Sequence, residues 1–446
     1  MRLLEIVHGL PPELVGGTEA YVAEIARGLA ARGHEVSVLA GTFDTRPGFA
    51  LRREPREGFE ALFLHRGDLY FDDWDRTHHP EAARLLEQAL AETAPAVVHV
   101  HHWIRMSPNL IQAAAARGIP SVATVHDTWT SCLRCFRVLP DGRFCEERAR
   151  AEVCVPCVDR SPSQTEEETA EAFRLFRADR AAEFTQAVRV LFPTEEHLRF
   201  LADKGDFPAA NFSVFPHPHL VRLPRGPRPP EGDGPLRLVT WGHHHPAKGT
   251  HHLVEAMGRP RVAEAARLDL FGDAVFPDYG ERLRALAEGL PVRFRGAFDR
   301  SDLAAEAYHL AVFPTLAHES HSFVLDEAFA LGLPVLVPDR AALPRRAGPA
   351  GFVFRPGDAD DLARRLLEIA SDRGALSRAR AASETRPRGP SLEEHLAALE
   401  TLYEEAHRSG PRTGLPGPTL EERLRFEALR AENRYRRLLR YEPRSS

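Results

Sequence analysis

Lysine is nearly missing from this sequence. Its 446 residues hold only Lys204 and Lys248, against 56 arginines. A chain that uses arginine wherever a positive charge suffices makes each surviving lysine a candidate for a role that needs a compact point charge. Long apolar runs are missing too. No stretch approaches the roughly 18 consecutive apolar residues of a membrane-spanning helix, which excludes an integral helical membrane protein. The opening MRLLEIVHGL enters a strand-like run directly, so no secretory leader is expected and a cytoplasmic location is. There is no basic excess. The formal net charge is −6, which argues against nucleic acid as a partner.

Cysteine is scarce and confined to one place. Cys132, Cys135, Cys145, Cys154 and Cys157 read C-x2-C-x9-C-x8-C-x2-C. Paired CxxC units in a chain of this kind point to a structural zinc site more than to disulfides. Five thiols are one more than a tetrahedral site takes, and a loop with incidental thiols is the alternative.

What is present is a series of strand–loop–helix units, and the length calls for two or three domains. Residues 2–8 read as a buried parallel strand. Gly16 and Gly17 follow in a loop, and residues 18–32 as a helix capped by Thr18, with Tyr21, Ile25 and Leu29 on its buried stripe. Gly33 ends the helix and 34–39 is the next strand. Strands at 96–101, 121–126 and 188–192 and helices at 107–117 and 164–185 continue the pattern. Residues 217–235 are rich in proline and glycine without apolar periodicity, as in a linker. A second series follows. Its strands are 236–241, 267–271, 292–294, 310–313, 334–337 and 352–354, and its helices 250–257, 322–331, 358–371 and 391–408. The expected class is α/β, with two doubly wound Rossmann-like domains, 1–216 (carrying the Cys-rich insert 130–160) and 236–390. Ligands of such folds bind at the C-terminal edges of the strands, here a cleft between two sheets. Residues 409–446 are a separate tail. Leu424, Ala428, Ala431, Tyr435 and Leu438 repeat at 4-3-4-3 spacing. Residues 419–441 are therefore a candidate for self-association or partner docking. A helix lying on the inner membrane face and a solvated tail are the alternatives.

The most specific constellation is Glu319-Ser320-His321-Ser322-Phe323-Val324-Leu325-Asp326-Glu327. It lies between a strand ending at 313 and a helix starting near Ser322. Glu319 sits in the loop and Glu327 one to two turns into the helix. The free N–H groups at 321–323 make an anion site at the helix mouth. A second constellation, Gly242-His243-His244-His245-Pro246-Ala247-Lys248-Gly249, directly follows a strand. Glycine lets backbone approach a ligand, and Lys248 offers a point charge suited to a pyrophosphate. A solvated surface loop is the plain alternative. In the first half Gly16 and Gly17 precede a helix N-terminus, and His126 with Asp127 ends a strand on the ligand-bearing edge. A capping Asp beside a packed His is the plain alternative there. His99, His101 and His102 flank another strand end and are less telling.

The motifs GLPPELVGGTEAYVAEIARGLAARGHEVSVL (9–39), IPSVATVHDTW (119–129), LVTWGHHHPAKGTHHLVEAM (238–257) and VFPTLAHESHSFVLDEAFALGLPVLVPD (312–339), in this order, resemble glycosyltransferase family 4 with the GT-B fold. The resemblance covers nearly the whole chain to about residue 408. It implies retaining transfer of a sugar from a nucleoside diphosphate donor, such as a UDP- or GDP-sugar, in glycan biosynthesis. The acceptor hydroxyl belongs to a glycan, a lipid-linked sugar or a small molecule. Carried over, Lys248 holds the diphosphate with Gly242 and the residue after it, and Glu327 holds the ribose. Glu319 with Ser320, His321, Ser322 and Phe323 holds the donor sugar. The loop at Gly16 and Gly17 closes over the phosphates, and His126, beside Asp127, touches the transferred sugar. The helix 391–408 packs back on the first domain. No metal or other cofactor is implied for catalysis. The cysteine segment resembles an insert of some members, which implies Cys132, Cys145, Cys154 and Cys157 as zinc ligands and Cys135 as the extra thiol. One departure stands out: His243 occupies a position where the family usually has Arg. A sugar-nucleotide epimerase on the same fold, and a scaffold that has lost activity, are the competing functions.

Overall fold

The computed structural model describes residues 1–44, 46–68, 78–160, 164–208, 210–229, 232, 234–386 and 389–439, with backbone alone at 437–439. The chain divides into two compact units. The first comprises Met1–Cys135, Glu146–Pro218 and Pro390–Ser446, and the second Phe136–Cys145 and His219–Gly389. The cysteine-rich segment is thus split, because Phe136–Cys145 leaves the first unit; Phe144 lies under the Arg340 guanidinium, 4.3 Å from its ring centre.

In the first unit the strands are β1 (Arg2–Val7), β2 (Glu35–Gly41), β3 (Phe49–Arg56), β4 (Phe59–Arg66), β5 (Val97–Val100), β6 (Ser121–Thr124), β7 (Arg189–Phe192) and β8 (Phe212–Val214). They form one sheet in the order β3-β4-β2-β1-β5-β6-β7-β8. All neighbours are parallel except β3 and β4. The order reverses between β1 and β5, the switch point at which doubly wound sheets open their binding crevice. The β3–β4 hairpin was not expected. Its outer strand FALRREPR is charged and half exposed, which protects a sheet edge but erases the apolar alternation that marks a strand. The first helix spans Gly17–Ala31 with Gly16 rather than Thr18 as N-cap. The helix Leu392–Ser409 packs against it so closely that a Cβ on Gly28 would lie 2.5 Å from Leu396. Tyr21 Oη and His395 Nε2 join the two at 2.8 Å.

The tail helix Leu420–Leu439 uses a different face from the one its spacing suggests. Leu424 and Tyr435 are 53% and 61% exposed. The buried side carries Arg423, Phe426 and Asn433. Arg423 Nη2 donates to Asp179 Oδ1 (2.6 Å) and Asn433 Nδ2 to Glu168 Oε2 (3.2 Å), both on the helix Glu166–Gln186. Polar pairing with that helix, not the heptad seam, decides the docking face. The Leu438 side chain and residues 440–441 lie outside the described residues. So do residues 230, 231 and 233 of the expected linker.

The second unit holds β9 (Leu236–Trp241), β10 (Ala266–Phe271), β11 (Val292–Gly296), β12 (Leu310–Val312), β13 (Val335–Pro338) and β14 (Gly351–Phe354). They form an all-parallel sheet in the order β11-β10-β9-β12-β13-β14, with its switch between β9 and β12. Apolar side chains fill both faces. Leu238, Leu268, Leu310 and Leu336 pack on one side, and Val239, Phe271, Ala311 and Val337 on the other. That is the near-continuous apolar signature of a parallel sheet covered on both faces. Among the described residues no helix is long and apolar enough to cross a membrane.

Candidate active site

In the second unit both constellations come together at the sheet's switch point. The chain leaves β9 at Gly242, whose φ of 116° is a glycine conformation. Gly272 crosses this turn closely, since a Cβ on it would lie 2.1 Å from the Gly242 carbonyl oxygen. The three histidines that follow have three different settings. His243 is exposed. His244 is buried, with Nδ1 3.1 Å from Thr250 Oγ1, and burial pushes its imidazole down to about 4. His245 accepts from the Ala247 N–H through Nδ1 and caps the single turn Pro246–Lys248. Gly249 follows at φ 66°, and a Cβ there would sit 2.0 Å from the Pro314 carbonyl oxygen. The loop is thereby pressed onto residues 314–316, and Leu316 N–H donates to Ala247 O at 2.8 Å.

This contact places Lys248 beside Glu319. Nζ donates to Oε1 at 2.7 Å, and Thr315 Oγ1 donates to the same oxygen at 3.0 Å. The carboxylate side chain is 14% exposed and the lysine 47%. The amine is thus anchored at one side and open to solvent at the other. The helix Phe323–Ala330 begins after Ser322, which takes the left-handed conformation (φ 67°) and makes no side-chain cap bond. Its mouth is held from behind. Arg346 Nη2 reaches Asp326 Oδ1 at 2.5 Å, Arg346 Nη1 bonds the His321 and Ser322 carbonyls, and His321 Nε2 lies 2.8 Å from Asp326 Oδ2. Ser320 and His321 are buried and Phe323 half-buried. Glu327 is also buried. Its Oε2 accepts from the Trp241 indole at 2.6 Å and its Oε1 from Arg300 Nε at 2.5 Å. Each carboxylate oxygen keeps a further lone pair for a hydroxyl. Trp241 and Arg300 were not anticipated. Only Trp241, the last residue of an apolar strand, carried a signal.

In the first unit Gly16 begins the helix Gly17–Ala31 in extended conformation (φ −137°), and a Cβ there would meet Glu19 Oε2 at 2.5 Å. Glu19 pairs with His8 at 2.7 Å. His126 and Asp127 follow β6. Burial raises the Asp127 carboxyl, but His102 Nε2 at 3.2 Å and the Trp129 N–H at 2.8 Å outweigh it and hold the group at about 2. His126 is not a lone ring at a strand end. Its Nε2 lies 3.1 Å from His101 Nδ1, and its Nδ1 lies 3.2 Å from His217 Nε2. Burial holds His126 and His99 well below the ordinary imidazole value and His101 near 3, so the rings are neutral. His101 Nε2 is 2.8 Å from Glu5 Oε2, and Tyr403 Oη donates to Glu5 Oε1 at 3.0 Å. Burial also pushes the Glu5 carboxyl up. Sequence reasoning missed Glu5 and underrated His99 and His101. The available signal was a charged residue inside the apolar strand LLEIV and the alternation H-V-H on another.

The thiols are not assembled as a metal site within the first unit. Cys132 and Cys135 close one turn (N–H to O 3.1 Å), whereas Cys154 and Cys157 lie on the helix Ala151–Cys157. Cys145 goes with the second unit, and no cysteine is in a disulfide. Among the described residues, three ligating atoms from His, Cys, Asp or Glu come within 4.8 Å of one another only at Glu5, His99 and His101. A tetrahedral thiolate site needs its sulfurs closer than that, each about 2.3 Å from the ion. The expected zinc quartet therefore does not fit the thiols as the first unit places them. The two CxxC pairs sit on separate elements.

The Glycosyltransferase Family 4 model matches residues 15–219, and the Glycosyl transferases group 1 model matches 235–372. The chain is 28% identical over 411 residues to a D-inositol 3-phosphate glycosyltransferase of Streptomyces scabiei, spanning 87% of this chain and 86% of that protein. It is 26% identical over 419 residues to a glycogen synthase of Mycobacterium tuberculosis, spanning 86% and 90%. Among solved structures it is similar to sucrose-phosphate synthase from Thermosynechococcus elongatus, with TM-score 0.62, 18% identity and coverage of 92% and 100%. It is also similar to Anabaena HepE in complex with UDP and glucose, with TM-score 0.58, 18% identity and coverage of 90% and 99%.

Proposed function

The chain belongs to glycosyltransferase family 4, and from that premise we propose that it transfers a hexosyl group from a nucleoside diphosphate sugar to an acceptor hydroxyl with retention of configuration. The observation that carries this reading is the anchored but exposed Lys248, held by Glu319 beside a helix mouth whose far side carries buried Glu327. It is a compact positive charge beside a helix N-terminus, the combination that suits a diphosphate. Glu327 takes the ribose hydroxyls. Glu319, with Ser320, His321, Ser322 and Phe323, takes the donor sugar. Gly242 and His243 flank the diphosphate, Gly16 and Gly17 face its other side, and His126 with Asp127 contacts the transferred hexose. UDP is the donor nucleotide we favour, because the structurally similar HepE is described in complex with UDP and glucose. The named relatives act on unlike acceptors, so the acceptor class stays a glycan, a lipid-linked sugar or a small molecule.

No side chain of the described site stands out as an enzymic nucleophile, which favours reaction on one face of the sugar. The bond between the anomeric carbon and the diphosphate oxygen breaks as the acceptor oxygen bonds to the same face. The acceptor proton passes to a diphosphate oxygen. The transition state has oxocarbenium character, and the growing charge on the leaving diphosphate is met by Lys248 and the helix mouth. Calorimetry with UDP, GDP and ADP, followed by NMR of the product's anomeric proton, tests the reading. It expects micromolar-to-millimolar binding of one diphosphate and a retained anomer. No nucleotide binding at millimolar concentration, an inverted anomer, or isomerised sugar nucleotide without acceptor would overturn it.

A further inference from the structure

A directed hydrogen-bond chain runs through the first unit at its switch point. Glu5 stands in the middle of β1, fully buried, and its register partner on β5 is His99. In its ionised form Glu5 can only accept hydrogen bonds. Tyr403 donates to Oε1 at 3.0 Å, so the 2.8 Å contact at Oε2 is a donation from His101 Nε2. A neutral imidazole that donates at Nε2 accepts at Nδ1. His101 Nδ1 at 3.1 Å therefore accepts from His126 Nε2, and His126 Nδ1 at 3.2 Å accepts from His217 Nε2. One carboxylate thus sets three imidazoles, all as Nε2–H tautomers. His99 takes the opposite form. Tyr403 spends its only proton on Glu5, so His99 donates from Nδ1 to Tyr403 Oη (2.6 Å) and accepts at Nε2 from Thr124 Oγ1 (2.8 Å). The contacts of Glu5, His99 and His101 are thereby accounted for by protein groups alone, which favours a hydrogen-bonded network over a metal ion at this cluster. A ring bonded at both nitrogens cannot turn, and His126 stacks on His217 at 17° with centroids 5.0 Å apart.

We propose that Glu5, acting through His101, is the positioning residue that fixes the tautomer and orientation of His126 for glycosyl transfer, along the directed chain Glu5–His101–His126–His217. The proposal rests on the reading that His126 contacts the transferred hexose. Glu5 touches no substrate. His8 pairs with Glu19 and His102 with Asp127, outside the chain, and Tyr21 packs on the His101, His126 and His217 rings while its hydroxyl meets His395.

The test is Glu5→Gln, which keeps the shape but lets either amide atom face His101, so either polarity of the chain is allowed. In full-length protein labelled with 15N-histidine, long-range 15N–1H NMR of the wild type is expected to show His101, His126 and His217 as Nε2–H and His99 as Nδ1–H. Glu5→Gln is expected to mix or invert the three and to lower kcat about 10- to 100-fold, the scale of small misplacements at a reacting centre. The Kd for the nucleoside diphosphate is expected to stay unchanged. Tyr403→Phe, which leaves the Oε2 contact in place, removes two hydrogen bonds that lie outside the chain, the one to Glu5 Oε1 and the one from His99 Nδ1, and is expected to keep the tautomers of His101, His126 and His217 and to keep kcat within about twofold. It keeps the test decisive should Glu5→Gln fold poorly, because inverted tautomers or a large kcat loss in Tyr403→Phe would overturn the chain. Unchanged tautomers in Glu5→Gln would overturn Glu5 as their source. Altered tautomers with unchanged kcat would overturn the positioning role while leaving the proposed transfer intact. A bound divalent metal, found by elemental analysis and lost in Glu5→Gln, would also overturn it.

Discussion

The two sheets treat charge in opposite ways at their switch points. In the second unit, carboxylates that are partly or fully buried hold cations that remain exposed: half-buried Glu319 holds Lys248, and buried Glu327 holds Arg300, 53% exposed. In the first unit the buried carboxylate of β1, Glu5, is enclosed by a tyrosine and neutral imidazoles. An exposed cation with an anchored stem is ready for a polyanion. A closed network of neutral rings around one buried carboxylate offers shape and fixed dipoles instead. The contrast teaches that one α/β architecture can present an exposed, anchored charge at one switch point and a closed hydrogen-bonded network at the other, and the proposed diphosphate site draws on the first of these.

Five measurements break or sharpen that contrast. Lys248→Ala removes the exposed cation and is expected to cut turnover by roughly 10²–10³; unchanged kcat would remove the lysine from leaving-group stabilisation. Glu327→Ala strips the acceptor from Trp241 and Arg300 and the proposed ribose contact. Nucleoside diphosphate affinity should fall roughly 10- to 100-fold by calorimetry. Tyr21→Phe probes the closed network at its rim, since it deprives buried His395 of its 2.8 Å partner. Denaturant unfolding should show a loss of about 1–3 kcal/mol. His243→Arg adds a guanidinium to the exposed edge. It should tighten diphosphate binding by roughly two- to fivefold at low salt, as expected for an exposed charge pair, and the gain should fade as salt rises. The smallest effect is expected at Glu400, where a surface carboxylate joins Arg32 and His34 and is pulled down to about 2, first by the Arg32 hydrogen bond. Its folded value lies below the unfolded one near 4.3. Its contribution is therefore present at neutral pH and lost as pH falls from about 4 to about 2. Glu400→Gln should cost under about 1 kcal/mol at pH 7, and the difference from wild type should vanish at the acid end of a pH series of thermal melts.

Much of the fold was legible from local pattern. Apolar runs such as LRLVTW and PVLV mark buried strands, and Gly242 and Gly249 bracket the Lys248 loop where backbone must turn sharply. The Glu319–Glu327 spacing was read as a loop carboxylate and a helical one flanking a helix mouth, and that is how they lie. Other elements carried little signal. The charged edge strand Phe49–Arg56 and the helices Pro277–Leu286 and Arg373–Thr385 bury few residues each, so their periodicity is faint. The tail shows the converse failure. Its apolar spacing was clear, yet Arg423, Phe426 and Asn433 chose the docking face because their partners lie about 250 residues upstream.

By itself the sequence determined the order of strands and helices, the glycine turns and the residue types at the second unit's edge, because these depend on neighbours within a turn or a strand. Only the tertiary structure decided which buried polar groups meet. Glu5 finds His101 at 96 residues' separation and Tyr403 at 398. A buried carboxylate must be satisfied by whatever the packed sheet brings beside it, and that is a property of the assembled sheet and its neighbouring helix, which no local spacing encodes.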